Sequence, residues 1–335
     1  MPHRSLPHGA ARPRRREAIA RIGAPVVFGA AAIVQPATAQ AWPARPVRIV
    51  VPFPPGGAAD GSARVLAEVM AKSLGQSMVV ENKPGAGSVV GTQAVVQSND
   101  AHTLLMGSTS MTILPALRSD LGYDIQRDLQ AVGMVSAQPL VLSVAASSPL
   151  KSLDDVIARG KAGDLTSGNS GNGTLSHLTT ELFNLRQGTK ILSVPYKGES
   201  ALVPDIVGGT TAMAFLNLPS ALPLLKSGRL RAIAATSAQP IAALPGVPTL
   251  KSLGLAEFVI EGWAALFAAR DLPADGVARL SALLQQALAD AGVKERFAAF
   301  GVEAVSGTPQ ALRDFLRSET GRWGEVVRGR GIKLE

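Results

Sequence analysis

A short stretch at residues 47–61, with the sequence VRIVVPFPPGGAADG, restricts the fold of this chain more than any other. Its β-branched run at residues 47–51 predicts a strand that is covered on both faces. The prolines at 52–55 end this strand, because proline fixes φ and donates no main-chain hydrogen bond. Gly56 and Gly57 then permit a tight turn into a helix. Such a turn leaves main-chain N–H groups free at the positive end of a helix, where an anion can bind, although many α/β proteins use the same turn only structurally.

The rest of the chain repeats this alternation of strand and helix, which is typical of parallel sheets that bind ligands at the carboxyl ends of their strands. Three glycine-bearing loops, at residues 54–57, 84–88 and 168–174, each lie between a predicted strand and a predicted helix. Two apolar runs, at residues 131–135 and 140–145, precede Pro149. The recurrence of the glycine loops indicates a binding edge more strongly than any single loop does.

Several kinds of catalytic motif are missing or incomplete. Gly56 and Gly61 have phosphate-loop spacing, but Ser62 follows where that loop requires lysine. The glycines at 85, 87 and 91 miss the dinucleotide fingerprint by one position. There is no Gly-x-Ser-x-Gly elbow, no cysteine, and no histidine in residues 42–335 other than His102 and His177. These absences argue against an NTPase, a nicotinamide enzyme and a hydrolase, and they predict no catalytic residue, no cofactor and no metal site.

The composition narrows the class of partner. Hydrophobic residues make up 46% of the chain and charged residues 17%, which is typical of a globular protein. Aromatic residues make up only 4%, which argues against stacking platforms for single-stranded nucleic acid. The formal net charge is +8, but residues 1–41 carry +5 of it. The basic character therefore belongs mostly to the N-terminal segment, and we expect no nucleic-acid partner.

Residues 1–41 have the three parts of a secretory signal peptide. A basic region around residues 12–16 precedes an apolar region at residues 22–34, which is too short to span a bilayer. Small residues then allow cleavage after Ala39 or Ala41. The arginines at 14–16 also permit a twin-arginine route, although Glu17 and Ala18 follow where that motif favours apolar residues. We therefore expect a periplasmic protein.

Four side chains near the glycine loops have two interpretations each, and the sequence leaves both open. Asp60 can stabilise the helix dipole, or it can hold the loop amides in place and bind a water that bridges to a ligand. His177 can cap or pack a helix start, or it can contact a ligand. Tyr196 can line a pocket or pack in a core, and Lys197 can reach an anion or remain solvated.

A set of motifs in a fixed order carries a family resemblance. The motifs are VVPFPPGGAAD at residues 50–60, VENKPGAG at 80–87, GNGTLSHL at 171–178, VPYKG at 194–198 and NLPSA at 217–221. The end continues the pattern with Leu-Pro at 272–273, Gly-Thr-Pro at 307–309 and GIKLE at 331–335. With these motifs, residues 42–335 resemble the receptors of the tripartite tricarboxylate transporter family, also called the Bug family. Two departures, AHT at 101–103 and Phe215-Leu216 where an acidic residue is often found, leave the ligand's identity open.

The resemblance implies an α/β fold of the type II periplasmic binding class. Two lobes, each a mixed sheet flanked by helices, would enclose a ligand cleft between them. Residues 42–146 and 259–335 would form lobe 1, and residues 147–258 would form lobe 2. Pro149 and the predicted strand at residues 261–269 are compatible with these boundaries.

The resemblance also implies a site in which loop amides and ordered water, rather than an arginine, hold the proximal carboxylate of the ligand. Small residues allow the main chain to approach such a group closely, and helix N-termini supply partial positive charge. The candidates in lobe 1 are Phe53, Pro54, Pro55, Gly56, Gly57, Asp60, Gly85, Ala86, Gly87, Ser108, Thr109 and Ser110. The candidates in lobe 2 are Asn169, Gly171, Thr174, Ser176, His177, Tyr196 and Lys197.

From these implications we expect a non-enzymatic receptor, monomeric, that captures a small organic anion and delivers it to membrane permease subunits. The anion can be a mono-, di- or tricarboxylate, an amino acid or an aromatic acid. A sensor that docks on a membrane receptor would use the same pocket and is an alternative. An exported hydrolase is a second alternative, which the missing catalytic motifs disfavour.

Overall fold

The computed structural model of the chain describes residues 42–299 and 301–333. The predicted signal peptide and its cleavage sites lie outside these residues. None of the helices within them combines the length and the apolar character needed to cross a membrane.

The described part of the chain forms a mixed α/β structure. Its strands are β1 Val47–Val51, β2 Met78–Asn82, β3 Thr103–Ser108, β4 Leu129–Ala145, β5 Thr166–Asn169, β6 Leu192–Pro195, β7 Met213–Asn217, β8 Leu230–Ala235, β9 Glu261–Ala269 and β10 Glu303–Ala304. Its helices are α1 Ala58–Leu74, α2 Val89–Val96, α3 Ser110–Leu117, α4 Ile125–Asp128, α5 Leu153–Ala162, α6 Leu175–Gln187, α7 Glu199–Gly208, α8 Leu218–Lys226, α9 Ala274–Ala289, α10 Ala291–Ala299 and α11 Pro309–Arg330. Short 3₁₀ helices lie at Ala86–Ser88 and Ala256–Phe258.

The strands form one continuous hydrogen-bonded path in the order β2-β1-β3-β9-β4-β7-β5-β6, with β8 and β10 pairing on β4. Strands β1, β2 and β3 are parallel to one another, and so are β5, β6 and β7. These parallel groups are the units that the alternation of strand and helix predicts. Strand β9 runs antiparallel to β3 and β4, and β7 and β8 run antiparallel to β4.

Strand β4 joins the two halves of the sheet. The sequence shows two separate apolar runs here, and the structure joins them in one strand of 17 residues, Leu129–Ala145. Its first part, up to Pro139, pairs with β9, and its second part, from Leu140, pairs with β7 and β8. Pro139 lies where the strand changes partners, so its missing N–H interrupts neither ladder.

Each half of the sheet has its own apolar core. Leu66 and Met70 of α1 pack with Ile49 of β1 in the first half. Phe183 and Phe258 meet edge-on in the second half, with ring centroids 5.6 Å apart. Helix α11 contributes to the cores of both halves, with Leu312 and Leu316 near its start and Trp323, Val326 and Val327 near its end.

Thr236 links the two strands that connect the halves of the sheet, β4 and β9, at the point where each passes from one half to the other. The main-chain N–H of Leu140 donates to the Thr236 Oγ1 over 2.9 Å. The same hydroxyl donates to the carbonyl of Ile260, which directly precedes β9. Main-chain bonds from Thr236 to Leu140 and from Ile260 to Thr236 complete the link. Thr236 is fully buried, so water cannot replace these partners.

We expect Thr236→Val to lower the free energy of unfolding by about 1–3 kcal/mol, because a buried N–H and a buried carbonyl lose their hydroxyl partner while the volume is retained. Urea denaturation measures this change. The matched control is Thr112→Val. The Thr112 hydroxyl donates to the Thr109 carbonyl, which also accepts the Thr112 N–H, so its loss leaves no group unpaired. Equal losses in the two variants would contradict this role for Thr236.

Candidate functional site

A cleft of about 750 Å³ lies where the carboxyl ends of strands from both halves of the sheet meet. Most of its polar lining residues carry a hydroxyl or an amide side chain. The lining residues are Phe53, Pro54, Pro55, Gly57, Ala58, Ala59, Asp60, Ala86, Gly87, Ser108, Thr109, Ser110, Ile113, Leu114, Arg118, Ser136, Gln138, Ser170, Asn172, Gly173, Thr174, Leu175, Ser176, Asn217, Gly262, Trp263, Ala264 and Val302.

Three helices begin at this cleft without a side-chain cap. The residues that precede α1, α3 and α6 are Gly57, Thr109 and Thr174, and none of their side chains accepts a hydrogen bond from the helix start. The first main-chain N–H groups of a helix have no partner within it, and together with the helix dipole they present partial positive charge. Three such starts around one cavity form an environment that favours an anion.

The loop before α2 brings further main chain to the cleft. Residues 85–88 all have positive φ, with values of 144°, 47°, 67° and 91°. Glycine tolerates this region, whereas Ala86 and Ser88 are strained in it. The Ser88 hydroxyl lies 2.7 Å from that of Ser110 at the start of α3. This contact links the strained loop to a second helix start, and such strain is typical of ligand-binding loops.

Asp60 holds the first glycine turn in place. It is buried, and its carboxylate accepts hydrogen bonds from the Gly56 N–H over 3.0 Å, from Asn82 and twice from Arg64. Burial raises the pKa of Asp60, but these hydrogen bonds outweigh it and hold the pKa below its usual value. The carboxylate is therefore ionised and paired. It contacts the Gly56 amide, as in the interpretation that Asp60 holds the loop amides in place.

The structure brings twelve of the predicted site residues together in this cleft. They are Phe53, Pro54, Pro55, Gly57, Asp60, Ala86, Gly87, Ser108, Thr109, Ser110, Thr174 and Ser176. The other seven, Gly56, Gly85, Asn169, Gly171, His177, Tyr196 and Lys197, do not line it.

Some of those seven support the cleft loops from behind. Asn169 is buried, and its side chain accepts from the Gly171 N–H over 2.8 Å and donates to Ser193. The Tyr196 hydroxyl turns away and donates to Asp205 over 2.7 Å. Lys197 is exposed. For these residues the structure agrees with packing and solvation rather than with direct contact to the cleft.

Sequence reasoning missed the apolar wall and the residues at the strand crossing. Helix α3 was not predicted, because Pro115 lies inside it, yet Ile113, Leu114 and Arg118 of this segment reach the cleft. Ser136 and Gln138 lie on one face of β4 opposite Ala264 and Gly262, as their register requires. Asn217 carried a signal, because it lies in the NLPSA motif, and so did the lining residues of the motifs at 50–60 and 171–178, which are Ala58, Ala59, Asn172, Gly173 and Leu175.

Asn217 belongs to a chain of polar groups that leads to a half-buried acid, Glu199. Its N–H and its side-chain amide both donate to Glu199 Oε1, at 2.9 and 2.8 Å, and its side-chain oxygen lies 3.4 Å from Gln138 Nε2. Burial raises the pKa of Glu199. Leu216, at a position where the resembled family often has an acidic residue, is fully buried in the core. The carboxylate that contacts Asn217 in this chain is that of Glu199 in α7.

His177 stabilises the loop before α6. Its Nδ1 accepts a hydrogen bond from the Gly173 N–H over 3.0 Å, so the neutral ring carries its hydrogen on Nε2. That nitrogen faces Glu181, whose carboxylate lies 4.0 Å away and pairs with Arg330. Burial lowers the pKa of His177 and outweighs the opposite effect of Glu181. The histidine therefore supports the cleft loop as a neutral acceptor.

We expect acid to weaken this loop. The folded protein lowers the pKa of His177 below its usual 6.5, so the stability that the neutral ring contributes is present above pH 6.5. It is lost as the pH falls through the lowered pKa, because protonated Nδ1 cannot accept from Gly173. In His177→Asn, the amide oxygen can take the place of Nδ1 and does not titrate. As the pH is lowered from about 7.5 to about 5, the melting temperature of His177→Asn should therefore increase relative to that of the wild type. A constant difference across this range would contradict the role of His177.

Comparison with known proteins identifies the relatives of the chain. The model of the tripartite tricarboxylate transporter family receptor matches residues 62–332. The protein BugT of Bordetella pertussis is 40% identical over 315 residues, which cover 92% of this chain and 97% of BugT.

Two solved structures have the same fold. The periplasmic binding protein BugD is 30% identical, with a TM-score of 0.72 over 88% of this chain and all of BugD. The protein Rpa4515 of R. palustris, solved with adipate, is 31% identical, with a TM-score of 0.74 over the same shares. The predicted fold class, a two-lobed periplasmic binding fold with mixed sheets flanked by helices, is confirmed.

Proposed function

The chain belongs to the tripartite tricarboxylate transporter receptor family, and we propose that it captures a small organic carboxylate in its cleft and delivers it to the membrane subunits of such a transporter. One observation carries the proposal: the uncapped starts of α1, α3 and α6 line a single cleft. Main-chain N–H groups at helix starts bind carboxylates without a charged side chain. The adipate-bound relative supports the same class of ligand.

The carboxylate is held by loop amides and ordered water in this proposal. Eight of the twelve cleft residues that the sequence and the structure have in common are small or hydroxyl-bearing, and they let the main chain approach the ligand. Asp60 acts behind them by positioning the Gly56 turn, since its carboxylate is already paired with Arg64 and a second anion would be repelled. The receptor catalyses no reaction.

Capture is proposed to involve closure of two lobes, formed by residues 42–146 with 259–335 and by residues 147–258. The connecting strands β4 and β9 would bend while the parallel groups move as units, as in hinged domain closure. Residues 1–41 are proposed to direct export to the periplasm by the Sec or twin-arginine route and to be removed after Ala39 or Ala41.

Calorimetry with the purified mature protein tests the proposal directly. The ligand panel contains mono-, di- and tricarboxylates, amino acids and aromatic acids, and each mixture is also analysed for chemical conversion of the ligand. We expect at least one carboxylate to bind and to remain intact. Failure of every organic anion to bind, or turnover of one, would contradict a receptor function.

We expect Asp60→Ala to weaken carboxylate binding by about tenfold, because the Gly56 turn loses the acceptor that positions it. Calorimetry measures the affinity, and circular dichroism checks that the fold is retained. Asp100→Ala is the matched control. Asp100 also accepts from a main-chain N–H, that of His102, and pairs with an arginine, Arg45, but it does not line the cleft. If Asp60→Ala binds the carboxylate as tightly as the wild type, the role of Asp60 is limited to stabilising the helix dipole.

A further inference from the structure

The charges around the cleft are unevenly distributed. Among the described residues that line it, only Asp60 and Arg118 carry a formal charge. Asp60 is buried against Arg64, Gly56 and Asn82, so its charge is already compensated. Among the described residues that line the cleft, Arg118 is therefore the cation that can contact a ligand.

Arg118 is held in place by Asp120, but only two of its guanidinium N–H groups donate in this contact. Its Nε and Nη2 donate to the two carboxylate oxygens of Asp120, both over 2.9 Å. A guanidinium has five N–H groups, and within residues 42–299 and 301–333 the remaining ones on Arg118 have no hydrogen-bond partner. The Asp120 side chain is 69% exposed, so this ion pair is solvated and positions Arg118 without contributing much to stability.

Helix α3 sets the distance between Arg118 and the uncapped N–H groups. The helix starts at Ser110, where those groups line the cleft, and Arg118 follows its last residue. A rise of 1.5 Å per residue separates the two positions by about 12 Å along the helix. Ile113 and Leu114 line the cleft between them. The wall thus presents an anion-binding end, an apolar middle and a guanidinium.

We propose that Arg118 binds the second carboxylate of an elongated dicarboxylate whose first carboxylate lies at the helix starts and whose apolar middle packs on Ile113 and Leu114. This inference rests on the proposed function and narrows its ligand class. The free edge of a guanidinium donates to both oxygens of a carboxylate, an interaction that a neutral ligand end cannot make. Asp120 keeps the opposite edge occupied, so little side-chain freedom is lost when the ligand binds.

Linear acids that differ only in one terminal group test this inference. Succinate, adipate and sebacate are compared by calorimetry with butyrate, hexanoate and decanoate, the monoacids of the same lengths. The proteins are the wild type, Arg118→Gln and the control Arg127→Gln. Arg127 makes the same two-bond contact with Asp128 as Arg118 makes with Asp120, but it does not line the cleft.

For the wild type we expect a diacid to bind at least about tenfold more tightly than its monoacid. Arg118→Gln should remove this preference by weakening diacid binding much more than monoacid binding, whereas Arg127→Gln should retain it. The preference of the wild type should also fall as salt is added, because ions screen a contact between charges.

Each other outcome has a separate meaning. If Arg118→Gln keeps the full preference, or if the wild type binds monoacids as tightly as diacids, the role of Arg118 is wrong and carboxylate capture is unaffected. If no carboxylate of the wider panel binds, the proposed function itself fails.

Discussion

The main-chain N–H groups at the starts of α1, α3 and α6 are the constraint on which the rest of this structure depends. Helix geometry leaves these groups without internal partners, and no side chain of the preceding residue caps them. A protein normally satisfies such groups with water or with a ligand. The buried Asp60 accepts a hydrogen bond from Gly56 in the first proline- and glycine-rich loop, and residues 86 and 87 of the strained loop line the same cleft.

The two connecting strands bring these helix starts together. Strand β4 passes from one half of the sheet to the other at Pro139, and β9 returns beside it. Thr236 links the two strands where they cross. Because parallel strands of each half end at the same edge of the sheet, this link places two sets of loops around one cavity. Among the described strands, only β4 and β9 pair within both halves or lead directly from one half to the other.

Charge in and behind the cleft follows from burial and hydrogen bonding. The pKa of Asp60 is held low because three neighbouring groups donate to its carboxylate. The pKa of Glu199 is raised because burial outweighs the donors Asn217 and Ser220. One acid is thus stabilised in its charged form behind the first glycine loop, and the other is pushed toward its neutral form. Arg118 remains as a partly used cation at the far end of α3.

The sequence by itself determined the strand–turn–helix units, the glycine loops and, through its ordered motifs, the family. The strand–turn–helix units and the glycine loops depend on local backbone preferences and on hydrophobic periodicity, which neighbouring residues in the chain decide. Only the tertiary structure decided that β4 is one strand, that Tyr196 turns toward Asp205, and that Gln138, Arg118 and the apolar wall of α3 reach the cleft. Those facts depend on contacts between segments far apart in sequence, and a strand's pairing or a side chain's direction is set by whichever partner packs against it.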